Sequence, residues 1–383
     1  MRVSATKTAQ RVERNQYSYY KKIKYYGQNN DYPQKILEIV NSSGTGKTCM
    51  DIYTKFIEGG GFADETLAQF NLNSKERANT ILRKCAKDLR AFNGVAILIK
   101  YDGSLRIESY YNIPFEHCRI EINDQKEYTG RIAIYPDWTN ITGIPFKLEN
   151  VIYLNQYNPE TVRQEMTDAG GPEYYLGQVY YFTSDGDFEY PISPIDPIVT
   201  DMLTEESVST VKHRNAKFNF LPSGMIIRKG IRPNTLENTD DPKKDENEES
   251  KEEIKRMQGD ENACKLWVVD VDTDEEKPEF VPFDPKNYDK QYEYTEKTVQ
   301  ENIGKMSLIP PILRGVDVGA GFGADLMVNA YDYMNNIVDN ERRSLSEMFS
   351  IILKYYSVKF SDTSILPATY NSTKQNETTG NAI

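Results

Sequence analysis

Apolar positions recur with a helical period in several stretches of the chain, most sharply towards its end. Asp284 followed by Pro285 marks a helix start, because Asp accepts hydrogen bonds from the free amides of a first turn and Pro fits the first helical position. From there Tyr288, Tyr292, Thr295, Val299, Ile303 and Met306 recur at spacings of three and four. Glu293 with Lys297, and Glu301 with Lys305, stand one turn apart as favourable ion pairs. Ile309-Pro310-Pro311 ends this helix, since neither proline donates an amide hydrogen and the second holds the first out of the helical region. Arg314 to Gly323 (RGVDVGAGFG) is then a loop whose four glycines permit positive backbone angles and close approach. The helical period returns at Ala324 with Met327, Ala330, Met334, Ile337, Leu345, Met348, Ile352 and Tyr355, broken once at Glu341. Such a helix runs for roughly 33 residues, or about 50 Å. From periodicity alone the whole stretch reads as two helices of a helical domain joined by a glycine loop.

The rest of the chain predicts an α+β protein. Asp31 to Phe62 holds two short helices, the first lined by Ile36, Ile39 and Val40, the second by Ile52, Phe56 and Ile57 and ended by Gly59-Gly60-Gly61. Asn73 to Phe92 is a third helix with Ala78, Ile81, Leu82, Cys85, Leu89 and Phe92 on one face. After Asn93-Gly94 the period becomes that of strands: Val95 to Lys100, a turn at Asp102-Gly103, and Leu105 to Tyr110. Cys118 to Ile122, Arg131 to Tyr135 and Val151 to Tyr157 add further strands, and this domain runs to about residue 190. Ser193-Pro194 and Asp196-Pro197 resemble helix caps followed by first-turn prolines, and the helix after them, to about Phe218, carries Glu205, Glu206, Lys212, His213 and Arg214. Met225 to Arg228, Lys265 to Val271 and Pro278 to Phe283 read as strands. Between them, residues 233–262 hold Glu237, Asp240, Asp241, Asp245, Glu246, Glu248, Glu249, Glu252 and Glu253 with few apolar side chains, the composition of an exposed mobile loop.

Composition narrows the chemistry. At 383 residues the length allows two or three compact units. No apolar run approaches ~20 residues and the N-terminus carries no apolar signal segment, so the chain is expected to stay in the cytoplasm in which it is made, without a membrane span. Cys49, Cys85, Cys118 and Cys264 are far apart and form no metal-binding pair, so buried thiols are expected and neither metal nor cofactor. His117 and His213 suggest no Ser/His/Asp set. The formal net charge is -12, but residues 1–30 hold seven cations (Arg2, Lys7, Arg11, Arg14, Lys21, Lys22, Lys24) against Glu13 alone. Subtracting these from 46 basic and 58 acidic residues leaves 39 and 57, a net of -18 for the remainder. A body of that sign repels polyanions, and if it meets DNA it lets DNA slide rather than gripping it. The basic arm also carries Tyr17, Tyr19, Tyr20, Tyr25 and Tyr26; it suits either stacking on bases or docking on the acidic body of a neighbouring subunit. Asn41 to Thr48 (NSSGTGKT) looks like a phosphate-binding loop, with Leu266 to Asp270 as an acidic strand for magnesium. Asn41 stands where that motif needs its first glycine, however, and the flanking periods are helical, so a helix-start turn is the competing reading.

The order of these parts resembles the portal protein of tailed, long-tailed bacteriophages, from about Asp31 to Tyr356. The resemblance rests on the strand pair after Asn93-Gly94, the Ser193-Pro194 helix start, the Lys217 to Ile227 segment (KFNFLPSGMII), and Ile303 through Leu313 with its Ile-Pro-Pro-Ile-Leu ending. It implies a homo-oligomeric ring, usually of twelve subunits, at one capsid vertex of the virion. That ring would conduct double-stranded DNA without sequence specificity during packaging and ejection, and meet the major capsid protein, a head-tail adaptor and the large terminase. It further implies a basic arm (1–30), a wing (31–192), stem helices at 193–220 and 284–308, a clip (221–283), a tunnel loop facing DNA (309–323), a long helix of wing and crown (324–360) and a disordered tail (361–383). In that scheme the tunnel loop presents Arg314, Gly315, Val316, Asp317, Val318, Gly319, Ala320, Gly321, Phe322 and Gly323. The stem carries Glu205, Glu206, Lys212, Arg214, Lys290, Glu293, Lys297 and Lys305, and the clip offers Glu237, Asp240, Asp241, Glu248 and Glu249 to partners. Beside this non-enzymatic reading stand a nucleotide-binding ATPase using Gly44 to Thr48 and a helical adaptor with no DNA path.

Overall fold

A computed structural model describes residues 19–20, 22–125, 127–138, 148–184, 190–217, 225–229, 267–271, 288–316 and 324–370. The chain divides into two compact units, one comprising residues up to Met202 and from Glu301 onward, the other Leu203 to Gln300.

The first unit is built on an eight-stranded sheet. Its strands are β1 (Tyr19–Tyr20), β2 (Ile23–Lys24), β4 (Gly94–Tyr101), β5 (Ile107–Ile113), β6 (Cys118–Ile122), β7 (Tyr128–Ile134), β8 (Ile152–Gln156) and β9 (Gln178–Thr183), while β3 (Gly61–Phe62) lies apart. The order across the sheet is β1-β2-β6-β7-β8-β9-β4-β5, antiparallel except for β8 beside β9. A parallel pair needs a crossover connection; residues 157–177 supply it, anchored where Gln178, fully buried, bonds to Asn158 and Thr161. β4 has neighbours on both sides, and its run Val95-Ala-Ile-Leu-Ile is correspondingly apolar throughout rather than alternating. The turn expected at Asp102-Gly103 forms, with the Asp102 carboxylate accepting from the amides of Ser104 and Arg106.

Helices α1 (Tyr32–Ser42), α2 (Gly44–Glu58), α3 (Glu65–Gln69) and α4 (Ala78–Phe92) form a layer in which α4 packs on β4. The expected start at Asn73 is corrected to Ala78: the Asn73 side chain accepts from the amides of Lys75 and Glu76 and donates to the Tyr110 carbonyl, closing a turn that competes with helix. Strands β1, β2 and β9, and the short helix α5 (Val162–Asp168), were not expected. Residues of the expected arm, 1–30, contribute β1 and β2 to the sheet, and Tyr26 is fully buried, stacks on Tyr190 at 4.1 Å and donates to the Pro191 carbonyl, so its ring is not available to bases. Beneath it Arg119, fully buried, donates to Asn30, Gln34 and the carbonyls of Glu116 and Cys118.

Helix α6 (Val199–Lys217) continues from the first unit into the second, and α7 (Tyr288–Met306) returns. In the second unit β10 (Met225–Lys229) pairs in parallel with β11 (Trp267–Val271). The expected strand at 278–283, the acidic loop and the Asp284-Pro285 start lie outside the described residues. The single long helix expected from Ala324 is instead two, α8 (Ala324–Ile337) and α9 (Asp339–Leu353), and the break is at Val338 rather than Glu341. α9 packs on α2 and α4, with Phe349 against Phe62 at 4.9 Å. Glu341 at its start accepts from the Tyr53 phenol and the Ile352 carbonyl near its end accepts from that of Tyr110. Folding back onto two helices, rather than running on as one, buries Leu345, Met348, Phe349 and Ile352.

Candidate functional site

The segment joining α7 to α8 carries the most specific sequence signals, and its local structure follows from them. α7 ends at Met306, before the prolines, because Leu308 turns left-handed (φ 59°). The amide of Leu308 bonds back to the Lys305 carbonyl and that of Ile309 to the Gly304 carbonyl. This is the two-bond helix end usually closed by glycine, here closed by a half-exposed leucine at a cost of about 1 kcal/mol. Pro310 is extended, Pro311–Arg314 form one turn of 3-10 helix, and Gly315 (φ 77°) turns the chain again.

Arg314, expected to face DNA, lies against the last turn of α7. A Cβ placed on Gly304 would stand 2.1 Å from its Cζ, so the glycine leaves the space that the guanidinium occupies. A cation there also suits the negative end of the helix dipole. Gly304, Lys305, Leu308, Ile309, Pro310 and Tyr333 line an open cleft of about 330 Å³. Leu308 and Tyr333 of that lining are exposed apolar side chains, as are Met306, Val316, Leu326 and Val328 in the same stretch of chain. Gly315 and Val316 are exposed, and Asp317, Val318, Gly319, Ala320, Gly321, Phe322 and Gly323 lie outside the described residues.

Of the expected stem residues, Glu205 is buried, Glu206 and Arg214 are half-buried, and Lys212, Glu293, Lys297 and Lys305 are exposed. Lys212 pairs with Glu296 of α7, tying the two helices within the second unit, and Lys305 pairs with Glu301 at 3.3 Å. For Lys290 only the helical backbone is described. Glu237, Asp240, Asp241, Glu248 and Glu249 lie outside the described residues.

The phosphate-loop match is corrected. Gly44 to Thr48 is the first turn of α2 and follows helix α1, not a strand. The Ser43 hydroxyl caps it by accepting from the Gly46 amide, Thr48 donates to the Gly44 carbonyl, and Lys47 pairs with Asp51 at 2.5 Å. The Gly46 amide and the Lys47 amine are thereby engaged within the helix rather than turned to a common point. Cys49, Cys85 and Cys118 are buried thiols, the last two pushed up by burial, and Cys264 lies outside the described residues. Burial also lowers the half-buried His117, and His213 is exposed. Among the described residues no cluster of His, Cys, Asp and Glu could hold a metal, and no helix is long and apolar enough to cross a membrane.

No family model matches the sequence, and no curated protein matches it either. Solved structures do. A chain in the neck of a native gene transfer agent particle, computed with C12 symmetry, aligns at 12% identity with TM-score 0.50, covering 86% of this chain and 83% of that one. A chain in the virion of a native gene transfer agent particle aligns at 11% identity and TM-score 0.51, covering 87% and 83%. A phage portal protein of the HK97 family from Corynebacterium diphtheriae aligns more loosely, at 9% identity and TM-score 0.39, over 85% and 95%. The chain has an α+β fold, as expected from its sequence, and shares it with chains of the gene transfer agent particle.

Proposed function

We propose that this chain is a portal protein: a subunit of a ring at one capsid vertex of a phage particle, through which double-stranded DNA passes during packaging and ejection. The observation that carries the reading is the fold shared over most of both chains with a protein of a particle neck computed with C12 symmetry. In this reading α6 and α7 are the stem, residues 221–283 the clip that meets the large terminase and the head-tail adaptor, and residues 309–323 the loop nearest DNA. The first unit is the wing, set against the major capsid protein. Twelve copies make the ring, which turns over no substrate.

Two features support a DNA path. The net charge of -12 disfavours lasting attachment of a polyanion. With Arg314 drawn back onto Gly304, the near side of the loop offers DNA a left-handed glycine and an exposed valine rather than a fixed cation. The remaining glycines then let the loop change shape between two helices. Replacing Gly319 and Gly321 together by Ala restricts positive backbone angles without adding charge. Ring yield is expected to be unchanged while packaged or retained DNA falls; normal packaging with both replacements present would refute the assignment of the loop.

A further inference from the structure

Residues 361–370, expected to be disordered, follow a defined course over the first unit. The amide and hydroxyl of Ser361 both donate to the Asp64 carboxylate, at 2.8 and 2.7 Å. Asp64 also caps α3, accepting from Thr66 and Leu67, and the Ser361 bonds hold its carboxyl well below the usual carboxylate range. Thr363 donates to the Ser346 carbonyl. The Ala63 amide donates to the Ser364 carbonyl and the Gly60 amide to that of Leu366, both at 2.8 Å. β12 (Ile365–Leu366) pairs antiparallel with β3, matching Ile365 to Phe62 and Leu366 to Gly61.

The segment then reaches α8. Asn335 donates from Nδ2 to the Ala368 carbonyl at 2.9 Å and accepts from the Ala368 amide at 3.1 Å, so its side-chain amide pairs with one residue as a neighbouring strand would. The same oxygen accepts from Arg342 of α9 at 2.8 Å. Tyr370 sets its ring 5.6 Å from that of Tyr331. Across this course the contacts are mostly hydrogen bonds. Apolar burial is thin, since only Ala368 is buried and Leu366 is 47% exposed. Ala330 and Met334 are the buried side chains of α8, which otherwise meets the 311–314 turn and α2, where Phe56 sets its ring 4.9 Å from that of Tyr331.

We propose that residues 361–370 are a detachable strap that fixes α8 to the turn after α2, so that attachment of the strap sets the freedom of the helix that follows the glycine-rich segment. A segment held by a two-residue ladder and solvent-edge hydrogen bonds opens at a small fraction of the global unfolding free energy. α8, with one narrow buried seam, loosens when it opens, while α9 keeps its place on α2 and α4. Only the consequence for DNA, through the loop that α8 continues, rests on the portal reading.

Hydrogen exchange on the full-length protein tests the strap whether or not rings form. Wild-type protein is compared with Ala368→Pro, which removes the amide that donates to Asn335, and with Ser361→Ala, which weakens the other end. Exchange across 324–337 is expected to rise at least tenfold in the doubly substituted protein, with β4 unchanged. Faster exchange in 361–370 with 324–337 unchanged would overturn the proposal, as would a uniform rise that included β4. Should the double variant not fold, the wild-type protein still decides: 324–337 must open at a rate common to 361–370 and faster than β4, and separate rates would overturn the coupling.

Discussion

Replacing Asp88 by Asn is expected to remove a pH dependence of stability that the chain carries in its first unit. Asp88 lies on α4, 7% exposed, where its Oδ2 accepts from Asn112 at 3.1 Å. Burial, with nearby Glu116 adding to it, raises the carboxyl to about 7. In the unfolded chain the same group ionises near pH 4. Between these values the folded chain holds a proton that the unfolded chain has released, so stability falls as pH rises, by about 1.4 kcal/mol per pH unit. The neutral carboxyl's contribution is complete below about pH 4 and lost above about pH 7, a change of about 4 kcal/mol over the window. Asn keeps an acceptor for Asn112 and does not titrate. Urea unfolding of both proteins between pH 4.5 and 8, followed through the buried Trp138, measures the effect. The advantage of the variant should grow with pH at about that slope and level off above pH 7. A difference that stays constant with pH, or shrinks as pH rises, would refute the reasoning.

Gly59→Ala is expected to destabilise the first unit by about 2–3 kcal/mol, because Gly59 has φ 58° and an added Cβ would stand 2.0 Å from the Leu366 carbonyl oxygen; a thermal melt checks this, and an unchanged Tm would contradict it. Lys47→Ala should alter stability by less than about 0.5 kcal/mol, since an exposed pair one turn apart contributes little and Ala favours helix. Calorimetric titration with ATP should show no binding in either protein; wild-type binding lost in the variant would restore the nucleotide-hydrolase reading.

Much of the fold was legible where one physical signal dominated. The 3.6-residue period placed α1, α2 and the body of α4. The change to strand period after Asn93-Gly94, where Asn93 is left-handed with φ 55°, placed β4 and β5 around the Asp102 turn. The prolines at 310 and 311 placed the end of α7, although a left-handed Leu308 does the ending. What stayed hidden depends on partners distant in the chain. β12 is two residues long and exists because Gly59 and Gly60 let its backbone approach, a relation with no period to read. Tyr26, read as part of the basic arm's surface chemistry, is core, and so is Arg119 beside it, because an arginine can be buried when carbonyls and amides 1 to 89 residues away accept its hydrogens. The division of the last helix at Val338 follows from how α9 seats on α2 and α4, and heptad-like spacing cannot show where a helix turns to meet another. At the candidate site, glycine content marked the loop, but the retreat of Arg314 onto Gly304 needed the helix end in three dimensions.

The central claim is assembly into a ring that encloses a passage for DNA. Electron microscopy of the purified full-length protein, with class averages viewed down the axis, tests it most directly. The account predicts closed rings of twelve subunits, the symmetry in which the neck of similar fold was computed, with an open axial channel lined by α7 and the 309–323 segment. Monomers at all concentrations, or closed rings whose axis is filled, would contradict it.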